Sequence, residues 1–179
     1  MMDVKQTLEE TDGNIEKAAQ LLRERGIAKA AKKADRAAKE GYVGSYIHHN
    51  GKIATLVELN CETDFVARNE NFQSLAKNLA IHVAMANPLY KVREQVPSEV
   101  IDKEREVLMN QAIEEGKPAN IAEKMVEGRI GKYYGEIVLM EQAFVKDDKK
   151  TVEQLIKESI ATIGENIQIG NFYRISIGE

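Results

Sequence analysis

The feature that most constrains this fold is a change of apolar period at residue 42. Val43, Ser45 and Ile47 share one face, and Tyr42, Gly44, Tyr46 and His48 share the other, the two-residue repeat of a strand. His49-Asn50-Gly51-Lys52 follows and contains Asn-Gly, the strongest short-range hairpin signal. Ile53, Thr55, Val57 and Leu59 then alternate with Lys52, Ala54, Leu56, Glu58 and Asn60. Residues 42–60 therefore predict an antiparallel hairpin.

Around the hairpin the spacing is mostly helical. Residues 3–26 predict two short helices: Val4 and Leu8 in the first, a Thr11-Asp12-Gly13-Asn14 turn, then Ile15, Ala18, Ala19 and Leu22, with Gly26 as the stop. Residues 28–40, rich in alanine and lysine, predict a helical linker. Phe72, Leu75, Ala76, Leu79 and Val83 line a helix over 71–86, halted by Asn87-Pro88. A further helix starts after Pro97 with Ser98 as N-cap and ends at Gly116. Asn120 to Glu123 opens another, running through Ile130. Tyr133 to Val145 reads as extended, with Ile137 and Val138 at its centre. Thr151 and Gln154 open a helix carrying Val152, Leu155, Ile156 and Ile160. The closing strand places Ile167, Ile169, Tyr173, Ile175 and Ile177 on one face. Strands and helices follow one another without βαβ alternation, so the expected class is α+β with an antiparallel sheet.

Composition excludes several function classes. At 179 residues, 43 % hydrophobic and 30 % charged, the chain can bury a core. A net charge of −4 argues against a general nucleic-acid binder. A single cysteine, Cys61, rules out an intramolecular disulfide framework and fits a reducing, cytoplasmic setting. No apolar run reaches the ~18 residues of a membrane span. No phosphate-cradling GxxxxGK[ST] or GxGxxG occurs. Among the histidines, His48 and His49 point to opposite faces if the strand continues to residue 49, which makes them poor joint metal ligands. His82 reads as a satisfied packing residue and Cys61 as a small buried one. Neither an enzyme constellation nor a metal or cofactor site emerges.

The residues that a bland domain does not explain lie between the second hairpin strand and the first long helix. Cys61-Glu62-Thr63-Asp64-Phe65-Val66-Ala67-Arg68-Asn69 places two adjacent apolar side chains, Phe65 and Val66, in a polar connection, and connections run over the surface. One reading is a staple, with Asn69 as N-cap and Phe65 or Val66 folded back over the first turn. Thr63-Asp64-Phe65-Val66 also resembles the Thr-Asp-Phe-Val signature of the elongation factor Ts family. Met1-Met2-Asp3-Val4-Lys5 with Asp12-Gly13-Asn14 is similar to that family's ubiquitin-associated-like N-terminal module. Lys29-Ala30-Ala31-Lys32-Lys33-Ala34 resembles its linker, and Ile121-Ala122-Glu123-Lys124-Met125-Val126-Glu127-Gly128-Arg129 a long shared block. Gln142-Ala143-Phe144-Val145 resembles its Gln-Pro-Phe-Val, with Ala143 in place of the proline. These blocks run in family order over nearly the whole chain.

The resemblance implies a partial ubiquitin-associated-like module over 1–26, lacking the family's first helix, a linker over 27–41, and an α+β core and dimerisation domain over 42–179. It implies a guanine-nucleotide exchange factor for elongation factor Tu that dislodges Mg²⁺ and promotes GDP release, with no catalysis of its own. Asp64 and Phe65, flanked by Thr63 and Val66, would reach toward the partner's magnesium site. Further partner contacts are implied at His48, at Ile163 and Gly164, and at Met1 and Met2. The core hairpin occurs once where longer relatives duplicate it, which implies a homodimer. Two rival readings remain: an adaptor built on the ubiquitin-associated-like helices, and an RNA binder using Lys29, Lys32, Lys33, Arg36 and Lys39. The second predicts an affinity that falls steeply with salt.

Overall fold

The computed structural model describes residues 2–178; the side chains of Met2 and Asp3 are outside the description. The architecture is α+β, as the order of periods predicts, and divides into two compact units. One holds the residues up to Ala84 together with those from Glu153 onward, and the other holds Met85–Val152. No helix among the described residues is long and apolar enough to cross a membrane.

In the first unit, helices α1 (Met2–Glu10) and α2 (Ile15–Ala31) are joined by a tight turn in which Asp12 and Gly13 take positive φ. Asn14 caps α2 by accepting the Lys17 backbone N–H at 3.0 Å. The stop expected at Gly26 is not there: α2 runs on to Ala31, and residues 32–39 are turn, bend and irregular chain rather than a continuing helix. Gly26 marks close packing instead, because a Cβ there would lie 3.1 Å from Ala161 Cβ. With Ala28, Ala30 and Ala31 following, strong helix formers carry the helix through the glycine.

Strands β1 (Glu40–Ile47) and β2 (Ile53–Cys61) form the predicted hairpin, with Gly51 at φ +68° in its turn. Strand β5 (Gln168–Ser176) pairs antiparallel with β2, giving the order β1-β2-β5. Helix α4 (Glu70–Ala86) carries the buried stripe Phe72, Leu75, Ala76, Leu79 and Val83. Its backbone comes so close to β1 that a Cβ on Gly44 would sit 2.3 Å from the Ala76 carbonyl oxygen, and the Thr55 hydroxyl donates to the Ala80 carbonyl at 2.8 Å. Helix α7 (Val152–Ile163) adds Ile156 and Ile160 to the buried set.

The closing strand does not keep one face. Ile167 and Ile169 are buried, whereas Tyr173, Ile175 and Ile177 are exposed. A bulge between the Val57 and Leu59 pairings inserts one residue into β5 and reverses the alternation. The Glu58 carboxylate fastens that bulge by accepting the backbone and side-chain N–H groups of Asn171, each at 3.0 Å.

The second unit is built on α5 (Ser98–Glu114) and α6 (Ala119–Ile137), whose facing sides bury Ile101, Leu108, Val126 and Ile130. Ser98 lies inside α5; Pro97 takes the cap position, without a side-chain cap hydrogen bond. The extended reading of 133–145 is corrected, since α6 continues through Tyr133 and Tyr134 to Ile137. Ala122, Val126, Ile130 and Ile137 keep a helical spacing that the apolar pair Ile137-Val138 had obscured. A short hairpin, β3 (Ala143–Phe144) with β4 (Asp147–Thr151), follows.

Candidate functional site

The connection after β2 resolves into one sharp corner. Cys61 ends the strand fully buried, and Thr63 breaks into a single helical turn, α3 (Asp64–Ala67). The Thr63 hydroxyl oxygen caps that turn, accepting the Val66 backbone N–H at 3.3 Å. A one-turn helix sends consecutive side chains in different directions, and here the two apolar neighbours part. Val66 is turned in, 8 % exposed, and Phe65 is turned out, 80 % exposed. Of the two, only Val66 is turned inward as a staple requires, and the Asn69 side chain accepts the Asn71 backbone N–H at 2.8 Å at the start of α4. Beside the ring, Asp64 pairs with Arg68 one turn on, at 2.9 Å.

The corner is held from the other end of the sequence. The Glu165 carboxylate accepts the backbone N–H groups of Glu62 and Thr63, both at 3.1 Å, and the Thr63 hydroxyl at 2.7 Å. In return the Glu62 carboxylate accepts the Asn166 backbone N–H at 2.7 Å and lies 3.5 Å from the Arg36 guanidinium. The Asn166 amide, buried, donates to the carbonyls of Ala34 and Arg36, at 3.2 and 2.7 Å. Lys33 donates to the Gly164 carbonyl at 2.5 Å. The register explains why these groups meet: Asn60 stands opposite Gln168, so the chain leaving β2 and the chain entering β5 share one end of the sheet.

The structure thus brings Thr63, Asp64, Phe65 and Val66 together with Ile163 and Gly164. Gly164 is exposed at φ +92° and Ile163 is half-buried. His48 is not part of that cluster. Strand β1 runs from the corner, where Glu40 pairs with Cys61, to Ile47 at the opposite end of the sheet, roughly 25 Å away at strand rise. There Tyr46 Oη and His48 Nδ1 share a hydrogen bond of 2.9 Å. The two neighbouring histidines do not diverge as a continuing strand would make them. Strand β1 stops at Ile47, and their ring centroids lie 4.2 Å apart. Met1 and the side chain of Met2 lie outside the described residues.

The remaining sequence candidates fall into the interior. His82 is fully buried in α4, and no buried side-chain nitrogen or oxygen among the described residues lacks a partner. Burial pushes the Cys61 thiol up to about 11, helped by the nearby Glu165 charge. A thiol held neutral in this way is a packing group rather than a nucleophile. No group of three or more His, Cys, Asp or Glu side chains that could hold a metal ion occurs among the described residues.

Sequence reasoning did not join Glu62, Glu165, Arg36 and Asn166 to one another. Local spacing gives no signal for residues about a hundred positions apart. The available clue was that 61–63 and 164–166 each adjoin a strand end, which makes them neighbours once β2 and β5 are paired antiparallel.

Comparison with known proteins agrees over the whole length. The family model described as Elongation factor TS matches residues 2–179. A relative named Elongation factor Ts from Maridesulfovibrio salexigens is 56 % identical over 179 residues, all of this chain and 87 % of its own length. Those of the same name from Geobacter sulfurreducens and Carboxydothermus hydrogenoformans are each 55 % identical over all of this chain, covering 83 % and 82 % of theirs.

Proposed function

This chain belongs to the elongation factor Ts family, and from that premise we propose that it is the guanine-nucleotide exchange factor of elongation factor Tu. It binds the GDP-bound partner in the cytoplasm, dislodges Mg²⁺ and promotes GDP release so that GTP can bind. It performs no covalent chemistry of its own. The observation that carries this reading is Phe65, a large apolar side chain left 80 % exposed at the tip of a capped turn. Scattered exposed apolar residues are ordinary, but this one is presented by a corner held by five hydrogen bonds and a buried neighbour. Asp64 beside it brings a carboxylate to a site where the partner holds a cation.

Burying one Phe ring stabilises the complex by roughly 1.5–3 kcal/mol. That shifts an equilibrium about 10–200-fold. A larger weakening of GDP needs more contacts, and the exposed Gly164 loop beside the corner supplies the nearest. Coupling is reciprocal: whatever weakens GDP when this chain is bound weakens this chain when GDP is bound. The factor therefore leaves after exchange, and the surrounding GTP/GDP ratio sets the direction.

We further infer a homodimer. What supports it is the outer face of the sheet, where Val43, Ile47, Leu56, Tyr173 and Ile175 lie side by side and exposed. An outer face this apolar, with Ser45 and Glu58 interspersed, fits an association surface. The exchange reading is tested by mixing the chain with elongation factor Tu carrying a fluorescent GDP and following release by stopped flow. Release that accelerates with chain concentration and saturates supports it; release at the intrinsic rate at every concentration refutes it.

A further inference from the structure

An exposed Phe65 needs something to keep it pointing outward. A four-residue helix is too short to hold itself, because the first turn fixes several dihedrals for a single hydrogen bond. We propose that Glu165 is the positioning residue of the exchange corner, acting on Phe65 through Thr63. This rests on the exchange role proposed above.

The geometry is specific. One oxygen of the Glu165 carboxylate takes two consecutive backbone N–H groups, those of Glu62 and Thr63, and the other takes the Thr63 hydroxyl proton. These are charge-assisted bonds, the stronger kind. With its proton committed to Glu165, the Thr63 hydroxyl presents its lone pairs to the Val66 N–H. One carboxylate therefore sets the backbone leaving β2 and the rotamer of the cap. Those two settings fix the phase of the turn: Val66 inward, Phe65 outward. Glu165 needs no contact with the ring to do this.

The arrangement is also two-sided. The Glu62 carboxylate returns a bond to the Asn166 N–H, so the corner and the 163–166 loop clasp each other. The lysine and arginine of the segment before β1 join the clasp, Lys33 at the Gly164 carbonyl and Arg36 at Glu62. The two loops thus present Phe65 and Gly164 as one preassembled surface, and preassembly spares the ordering cost that binding otherwise incurs.

Cys61 gives a built-in reporter. Its thiol lies fully buried under the corner and donates to the Thr63 carbonyl at 3.2 Å, so a reagent reaches it only when the corner opens. The test uses the full chain as Glu165→Ala and as Glu165→Gln, whose amide oxygen still accepts the two backbone N–H groups and whose amide nitrogen can donate to the Thr63 hydroxyl oxygen, leaving it a lone pair for the Val66 N–H. Without partner, Ellman's reagent should label Cys61 roughly 10-fold faster in Glu165→Ala, with Glu165→Gln near wild type. With elongation factor Tu carrying fluorescent GDP, Glu165→Ala should lower the maximal release rate by roughly 10- to 100-fold, the scale of misplacing a functional group by about 1 Å. The half-saturating concentration should move far less, and Glu165→Gln should restore most of the rate. Maximal release at the wild-type rate in Glu165→Ala overturns the positioning role, whatever the labelling shows. So does a loss confined to the half-saturating concentration, which would make Glu165 an ordinary binding contact. A wild-type chain that fails to accelerate release overturns the exchange reading itself, and that result is distinct from an active wild type with an equally active variant.

Discussion

Replacing Phe65 by alanine separates the corner's fold from its work. In the free chain the ring is 80 % exposed, so truncation removes little buried surface. The cost to stability should stay within about 0.5 kcal/mol, as for surface positions generally. In the proposed complex the same ring becomes buried, and losing it there should cost roughly 1.5–3 kcal/mol. Spent on loosening the nucleotide, that is a fall of about 10–200-fold in GDP release. The neighbouring Val66→Ala gives the opposite signature. Val66 is 8 % exposed, so truncation leaves a small void under the turn and costs about 1–3 kcal/mol of stability. Stopped-flow release of fluorescent GDP from elongation factor Tu, read beside thermal unfolding of each variant, measures both quantities. A Phe65→Ala variant that binds normally and releases GDP at the wild-type rate would refute the role of the ring in dislodging Mg²⁺. A variant that melts well below wild type would refute the claim that the ring contributes nothing to its own subunit.

Three further outcomes follow from other parts of the molecule. Gly44→Ala would drive a Cβ to 2.3 Å from the Ala76 carbonyl oxygen, so strand β1 must lift from helix α4. Denaturant titration should show a loss of roughly 1–3 kcal/mol. Cys61 carries a thiol raised from 9.0 to about 11, chiefly by burial. The folded state therefore keeps its proton where the unfolded state loses it. The stability this provides is complete below pH 9 and is lost as pH rises through 11, which unfolding titrations of the wild type against Cys61→Ala across that window would detect. Ile175→Lys places a charge on the outer sheet face, where the side chain is 69 % exposed. Sedimentation equilibrium should show the proposed wild-type dimer reduced to a monomer with an unchanged circular dichroism spectrum, and a dimer that persists in the variant would move the interface elsewhere.

Much of the fold is legible in the sequence because local periods and tertiary demands agree. The hairpin could be read from Asn50-Gly51 and the two-residue alternation on either side, and the α4 stripe from Phe72 to Val83. Legibility fails where a tertiary contact overrides a local rule. Gly26 looks like a helix stop, but its missing side chain serves the approach of Ala161. Ile169 and Tyr173 look like one face, but the bulge fastened by Glu58 turns the second half of β5 over. Tyr133 to Val138 looks extended because its apolar residues cluster, yet Ile130 and Ile137 stand two helical turns apart. The candidate site divides the same way. The oddity of Phe65-Val66 in a polar connection is visible by inspection, whereas the clasp that separates the two side chains joins positions 62 and 165 and appears only after the sheet is assembled.

The action proposed for this exposed ring is to unseat a magnesium ion in the partner. The most direct test compares GDP release driven by wild type and by Phe65→Ala, first in millimolar Mg²⁺ and then with the ion removed by EDTA. If the ring acts through the ion, the wild-type advantage should be large with Mg²⁺ present and should shrink toward unity once the ion is gone. An advantage of the same size in both conditions would rule out action through the ion and place the effect of Phe65 on the nucleotide by another route.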